Sequence, residues 1–265
     1  MIKQVVAAWP FMNAGPQWKP KKFVRMVRRL GVAGVELFPR EHWPLLKKHN
    51  LICAATKSHT FIRGLNNKNH HPECFKALEE AIEVTASAGF PNVMTFTGMA
   101  DTSSEVNGSV VSKEEGQKNC IVGYKKMVQM AEKKNVCLVL EPLNSKRAIQ
   151  MKGHPGYQGD HLQYCLEIIK AVGSPSLKLL FDVYHIQIMD GDIIRHLRES
   201  REYIGHVQIA GVPGRGEIGK NQEINYAAVM TALVEIGYQG YVGHEWIPTG
   251  DAMMGLLEAV SICEI

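Results

Sequence analysis

Short apolar runs of strand length recur near residues 4–8, 33–37, 51–56, 92–96, 136–141, 177–182, 205–210 and 241–245, and the stretches between them carry helical periodicity. Phe23, Met26, Val27 and Leu30 fall on one helical face, and Gly31 follows as a stop signal. Ser112-Lys113-Glu114-Glu115 has capping-box spacing, and the helix it opens should end at Lys133-Lys134-Asn135. Eight strand-then-helix units in this order predict an α/β fold: a (β/α)8 TIM barrel, with parallel strands inside and a ring of helices outside.

The connections are unequal. Helix-to-strand links are short, as at Gly31-Val32-Ala33-Gly34, Lys134-Asn135 and Gly237-Tyr238-Gln239-Gly240, whereas the links near 59–72, 98–112, 144–159 and 211–224 follow strands and are long. Long loops after the strands build the face of a barrel on which active sites sit. The last four apolar runs each deliver one oxygen donor to that face: Glu141 in Leu140-Glu141-Pro142-Leu143-Asn144, Asp182 in Phe181-Asp182-Val183-Tyr184-His185, Gln208 in His206-Val207-Gln208-Ile209, and Glu245 in Gly243-His244-Glu245-Trp246. Neighbouring strands lie about 4.8 Å apart, so donors at the ends of consecutive strands form an arc that one ion can bridge.

Three carboxylates brought together repel unless a cation lies between them. Oxygen donors without a thiolate favour Mg2+ or Mn2+. Gln208 is the weakest of the four, because it is neutral and would by itself be read as a hydrogen-bonded core amide. A cation held there would polarise a substrate carbonyl and acidify the adjacent C–H. Glu141 and Glu245, expected on opposite sides of the carbon chain, would take one proton and return one. Proton movement between adjacent carbons is a ketose–aldose isomerisation; inversion at one carbon is an epimerisation.

Composition narrows the setting. A chain of 265 residues with 45% apolar content fills one large core, and no Pro/Ser-rich linker or charge block divides it, so residues 1–265 are read as a single domain. The formal charge of +4 with 21% charged residues is too small and scattered for nucleic-acid binding, and it is compatible with a small anionic substrate. A metal-dependent DNA-repair endonuclease would need more histidines at strand ends. Six cysteines without close pairing read as buried free thiols. No run approaches the roughly 18 apolar residues of a membrane span, and the N-terminal run is too short for a signal-peptide core, so a soluble cytoplasmic protein is expected. Apolar outer positions of a barrel would allow a homo-oligomer.

Taken together, the four strand-end motifs, with Gln187 after His185, Pro213-Gly214-Arg215-Gly216-Glu217 and Glu223-Ile224-Asn225-Tyr226, resemble hydroxypyruvate isomerase, of the xylose isomerase-like barrel superfamily. The resemblance is close over residues 136–250. It implies interconversion of hydroxypyruvate and tartronate semialdehyde through an enediolate. It further implies that Glu141 and Glu245 are both metal ligands and the acid/base pair, with Asp182 and Gln208 completing the metal shell; many relatives carry histidine where Gln208 stands. His185 matches a histidine that contacts substrate in related sugar epimerases. Arg215 matches a basic residue at the pocket rim, suited to bidentate pairing with a substrate carboxylate. Ala7-Ala8-Trp9-Pro10-Phe11 and Thr56-Lys57-Ser58-His59 depart from the pattern, which leaves a ketose 3-epimerase or another sugar isomerase as the alternative, and a cyclic-polyol dehydratase or a non-catalytic metabolite-binding protein as further rivals.

Other residues have two readings each. Glu36 is a pocket acceptor or, better, half of a structural ion pair. His206 and His244 lie beside proposed ligands, and strand alternation is expected to turn them away. Lys57 and His59 line the pocket or stabilise a loop. The basic loop residues Lys146, Arg147, Lys152 and His154 recognise an anion or are solvated. Trp9, Phe11 and Trp246 form an apolar wall over a small substrate or pack the core.

Overall fold

The computed structural model describes residues 2–265. Its strands fall almost where the apolar runs do: β1 Lys3–Ala7, β2 Gly34–Glu36, β3 Ile52–Cys53, β4 Ala55–Thr56, β5 Asn92–Thr95, β6 Cys137–Leu140, β7 Leu177–Asp182, β8 Ile204–Ile209 and β9 Tyr241–His244. Among the described residues the count is nine because the run at 51–56 breaks at Ala54, whose N–H donates to Val35 O at 2.7 Å while Ala55 O accepts from Leu37. The helices are α1 Pro20–Leu30, α2 Trp43–Lys48, α3 His71–Ser87, α4 Lys113–Lys134, α5 Leu162–Val172, α6 Val183–Met189, α7 Ile193–Glu199, α8 Tyr226–Glu235 and α9 Ala252–Cys263.

Helix ends follow their sequence signals. α1 closes on Gly31 at φ +75°, a left-handed conformation that costs glycine little. The Ser112 hydroxyl accepts from Glu115 N–H at 3.2 Å and caps α4, a contact of about 1 kcal/mol, and Asn135 ends that helix at φ +53°.

Two compact units emerge. One comprises the chain up to Ala55, Asp192–Arg201 and His206–Ile265; the other comprises Thr56–Gly191 and Glu202–Gly205. In the first, β1 pairs in parallel with β2 and with β9, β2 with β3, and β8 with β9; the register sets Gln208 and Val5 opposite Gly243, and Glu36 opposite Ala7. In the second, β6 pairs in parallel with β5 and β7, with Leu140 opposite Thr95 and Leu179, while α3 packs on α4 and α4 on α5. The strands are apolar on both faces, as parallel strands under helices must be: Val5, Val6 and Ala7, Leu138, Val139 and Leu140, and Leu179, Leu180 and Phe181 are all inaccessible to solvent.

All six cysteines are free and five are buried, as the spacing suggested. Among the described residues no helix is long and apolar enough to cross a membrane.

Candidate functional site

In the second unit Glu141 stands one residue beyond β6 and Asp182 ends β7. Backbone bonds fix Glu141: its N–H donates to Thr95 O at 3.1 Å and its carbonyl accepts from the Tyr157 hydroxyl at 2.9 Å. Asp182 caps α6, with Oδ1 accepting from Tyr184 N–H at 2.8 Å. His185 lies in the first turn of that helix, and its Nε2 is 3.6 Å from Asp182 Oδ2. One ligand atom from each of Glu141, Asp182 and His185 lies within 4.8 Å of the others, and all three residues are buried. Two carboxylates so close in a low-dielectric setting are stabilised by positive charge between them.

The tautomer of His185 separates its role from that of the carboxylates. Its Nδ1 receives the Asn144 backbone N–H at 2.9 Å and the Asn144 side-chain N–H at 2.7 Å. Both are donors, so Nδ1 is the acceptor and the proton of the neutral ring sits on Nε2. A protonated Nε2 donates a hydrogen bond and offers no lone pair to a cation. His185 is therefore built to meet an oxygen atom, which suits a substrate contact better than a metal ligand.

In the first unit Glu245 follows β9 directly and is almost wholly buried. Its Oε1 accepts from the Trp9 indole N–H at 2.7 Å and its Oε2 from Arg215 Nη2 at 2.5 Å. The Arg215 guanidinium lies 5.2 Å from the Trp9 ring centre. Arg215 holds a left-handed backbone at φ +58°, and its carbonyl accepts from Ile247 N–H at 2.7 Å, which ties its loop to the segment after Glu245. The expected rim arginine is thus an interior partner of a proposed catalytic glutamate.

Gln208 is fully buried on β8. Its Nε2 donates to Glu36 Oε1 at 2.7 Å, whereas its Oε1 has no hydrogen-bond partner among the described residues. A buried amide oxygen left alone costs about 1–3 kcal/mol, so a ligand is the natural occupant of that lone pair. Within each unit the donor types suit a hard cation: Glu141 and Asp182 are two buried carboxylates with no thiolate beside them, and Gln208 is a buried amide with its oxygen unclaimed.

One sequence expectation is corrected. His206 does not turn away from Gln208: residues two apart on a strand share a face, and both side chains reach Glu36, His206 through Nε2 to Glu36 Oε2. Glu36 is thus the partner of His206, a pair that is ionic when the imidazole is protonated, while also accepting from Gln208. His244, next to Glu245, does point elsewhere, with Nε2 2.8 Å from Gln4 Oε1, and burial pushes its pKa down to about 4. His59 ties its ring to Phe96 O at 3.1 Å, and Lys57 is exposed. In the basic loop, Lys146 is exposed and donates to Ile188 O at 3.0 Å, and the buried His154 packs on Phe61 with ring centres 4.2 Å apart. Phe11 and Trp246 pack edge to face at 5.2 Å within the core.

Three contributors went unread in the sequence: the Trp9 indole donor, the double donation of Asn144, and the Tyr157 hydroxyl that bridges Thr97 N–H and Glu141 O. Asn144 closes the Glu-Pro-Leu-Asn segment, so its place beside the site was available. The other two contacts link residues far apart in sequence.

Comparison with known proteins follows the same lines. The chain is 31% identical to a human protein named putative hydroxypyruvate isomerase, over 68% of this chain and 62% of that one. It is 36% identical to 2-oxo-tetronate isomerase of Cupriavidus necator, over 48% and 46% of the two chains. The chain thus spans less than two thirds of the length of these curated relatives. A crystal structure described as AP endonuclease, family 2, from Brucella melitensis superposes with a TM-score of 0.83 at 24% identity, over 96% of this chain and 97% of that one, and shares the α/β barrel fold. The family model described as xylose isomerase-like TIM barrel matches residues 24–260, and the chain belongs to that family.

Proposed function

We propose that this chain is a metal-dependent isomerase that interconverts hydroxypyruvate and tartronate semialdehyde. The observation that carries the reading is the buried cluster of Glu141 and Asp182 beside the Nε2–H of His185, in a chain whose curated relatives include proteins named as isomerases of 2-oxo acids. Glu141, Asp182, Gln208 and Glu245 are the proposed ligands of one Mg2+ or Mn2+. Such a cation, when bound, lowers the barrier to ionising the C–H next to a carbonyl.

The residues do the rest. One of Glu141 and Glu245 removes a proton from C3 of hydroxypyruvate, the C–H electron pair forms the C2–C3 double bond and the carbonyl pair moves onto O2 to give the enediolate; the hydroxyl proton then passes from O3 to O2, and the other glutamate returns a proton to C2 as the C3 oxygen becomes the aldehyde. His185 Nε2–H donates to a substrate oxygen and fixes the carbon chain. Arg215, whose planar guanidinium stands beside Glu245, holds the substrate carboxylate. The desolvated surroundings strengthen each of these contacts.

The test is turnover after chelation and reloading. Protein treated with a chelator should lose isomerisation of hydroxypyruvate, and Mn2+ or Mg2+ should restore it. Glu141→Gln and Glu245→Gln should each lower kcat by about 100-fold or more while the protein stays folded. Turnover of free ketoses alone would move the substrate to the epimerase alternative. Full activity in both variants would remove the assigned acid/base pair.

A further inference from the structure

We infer that Glu36 is a positioning residue that holds the side-chain carbonyl of Gln208 in place as a cation ligand, an inference that rests on the metal reading above. Glu36 ends β2 and is inaccessible to solvent. Its two oxygens are divided between two donors: Oε1 takes the Gln208 Nε2–H at 2.7 Å and Oε2 takes His206 Nε2–H. An oxygen that already accepts an N–H meets the nitrogen end of an amide and not its oxygen end. The amide of Gln208 is therefore forced to present nitrogen to Glu36, and its oxygen is the arm left over. That oxygen is buried and has no hydrogen-bond partner among the described residues. In a merely structural amide both ends would be satisfied.

Space for this arrangement is built into β9. Gly243 lies opposite Gln208 in register, and a Cβ placed on it would fall 2.4 Å from both Glu36 oxygens. Its φ is not in the left-handed region, so backbone freedom does not account for glycine there. Room for the Glu36 carboxylate does. Residues from β2, β8 and β9 thus converge on the orientation of one amide, and a neutral ligand needs such help because only one of its two ends can bind a cation.

The experiment compares Mn2+ binding, by equilibrium dialysis of the full chain, in the wild type, Glu36→Gln, Gln208→Glu and the double variant, with thermal unfolding of the metal-free proteins as a check on folding. In Glu36→Gln the new amide can donate toward Gln208 and no longer dictates its orientation, so affinity should fall about 10- to 100-fold. In the Gln208→Glu background the same change relieves a carboxylate–carboxylate clash, so it should raise affinity. This reversal of sign is the signature of positioning. A loss of equal size in both backgrounds, or unchanged affinity in Glu36→Gln, overturns the inference and leaves the metal reading standing. A wild-type chain that takes up no Mn2+ overturns both. If Glu36→Gln does not fold, Gly243→Ala displaces the carboxylate without removing it and should likewise weaken Mn2+ binding; unchanged binding there overturns the inference.

Discussion

Replacing Trp9 by Phe isolates the contribution of one hydrogen bond to the proposed catalytic carboxylate. Trp9 is buried, its indole N–H lies 2.7 Å from Glu245 Oε1, and Arg215 Nη2 holds the other oxygen at 2.5 Å. Phe retains an aromatic face beside the Arg215 guanidinium and removes the donor. A hydrogen bond to a charged acceptor contributes about 1.5–3 kcal/mol. At about 1.4 kcal/mol per factor of ten, kcat/KM for hydroxypyruvate should fall about 10- to 150-fold, with most of the loss in kcat. Steady-state kinetics on Mn2+-loaded protein measure this, and urea unfolding of the metal-free protein should show a loss of about 1–3 kcal/mol for the buried oxygen left without its donor. Trp246→Phe is the control: the Trp246 indole N–H has no partner among the described residues, so that change removes volume and no hydrogen bond. A Trp9→Phe protein with kcat/KM within about threefold of wild type and unchanged stability would refute the reasoning.

Tyr157→Phe should destabilise the protein by about 2–4 kcal/mol in urea unfolding, because the lost hydroxyl strands both Thr97 N–H and the Glu141 carbonyl in a dry interior. His244 supplies a pH dependence: its folded pKa of about 4 lies below the ordinary histidine value, so the unfolded chain takes up the proton first. Its contribution is complete above about pH 6.5 and is lost as pH falls toward 4, up to about 3 kcal/mol. His244→Gln keeps a donor for Gln4, so its unfolding free energy should change less than that of the wild type across this window; parallel curves would contradict the assignment. Nitrogen NMR of the neutral protein should find His185 protonated at Nε2 and bare at Nδ1, and the opposite tautomer would remove it as a donor to substrate.

The fold was legible because the barrel grammar is local. Residues 177–182 read as a strand and form one, and the run at 241–245 overshoots β9 by a single residue. Period and punctuation suffice for that. The strand-end positions of Glu141, Asp182, Gln208 and Glu245 were legible for the same reason. What surrounds them was less so. The Trp9–Glu245 bond joins the first strand-to-helix connection to the last, and the Glu36 bonds to His206 and Gln208 join β2 to β8, so neither leaves a trace in any short window. Strand parity puts His206 on the face of Gln208, because it stands two residues away rather than one. Asn144 was in plain view, but only its geometry showed that both of its N–H groups serve one imidazole nitrogen.

The left-handed posture of Arg215 puts two demands on one residue. A side chain at that backbone angle works against the fold by about 1 kcal/mol or more, which glycine would not incur and asparagine would incur less. The Glu245 carboxylate outweighs that cost: taking the guanidinium away would leave a buried charge uncompensated, a loss of about 3–5 kcal/mol. Glycine or asparagine should therefore be tolerated there only where residue 245 has lost its charge as well, so the two positions should vary together or not at all.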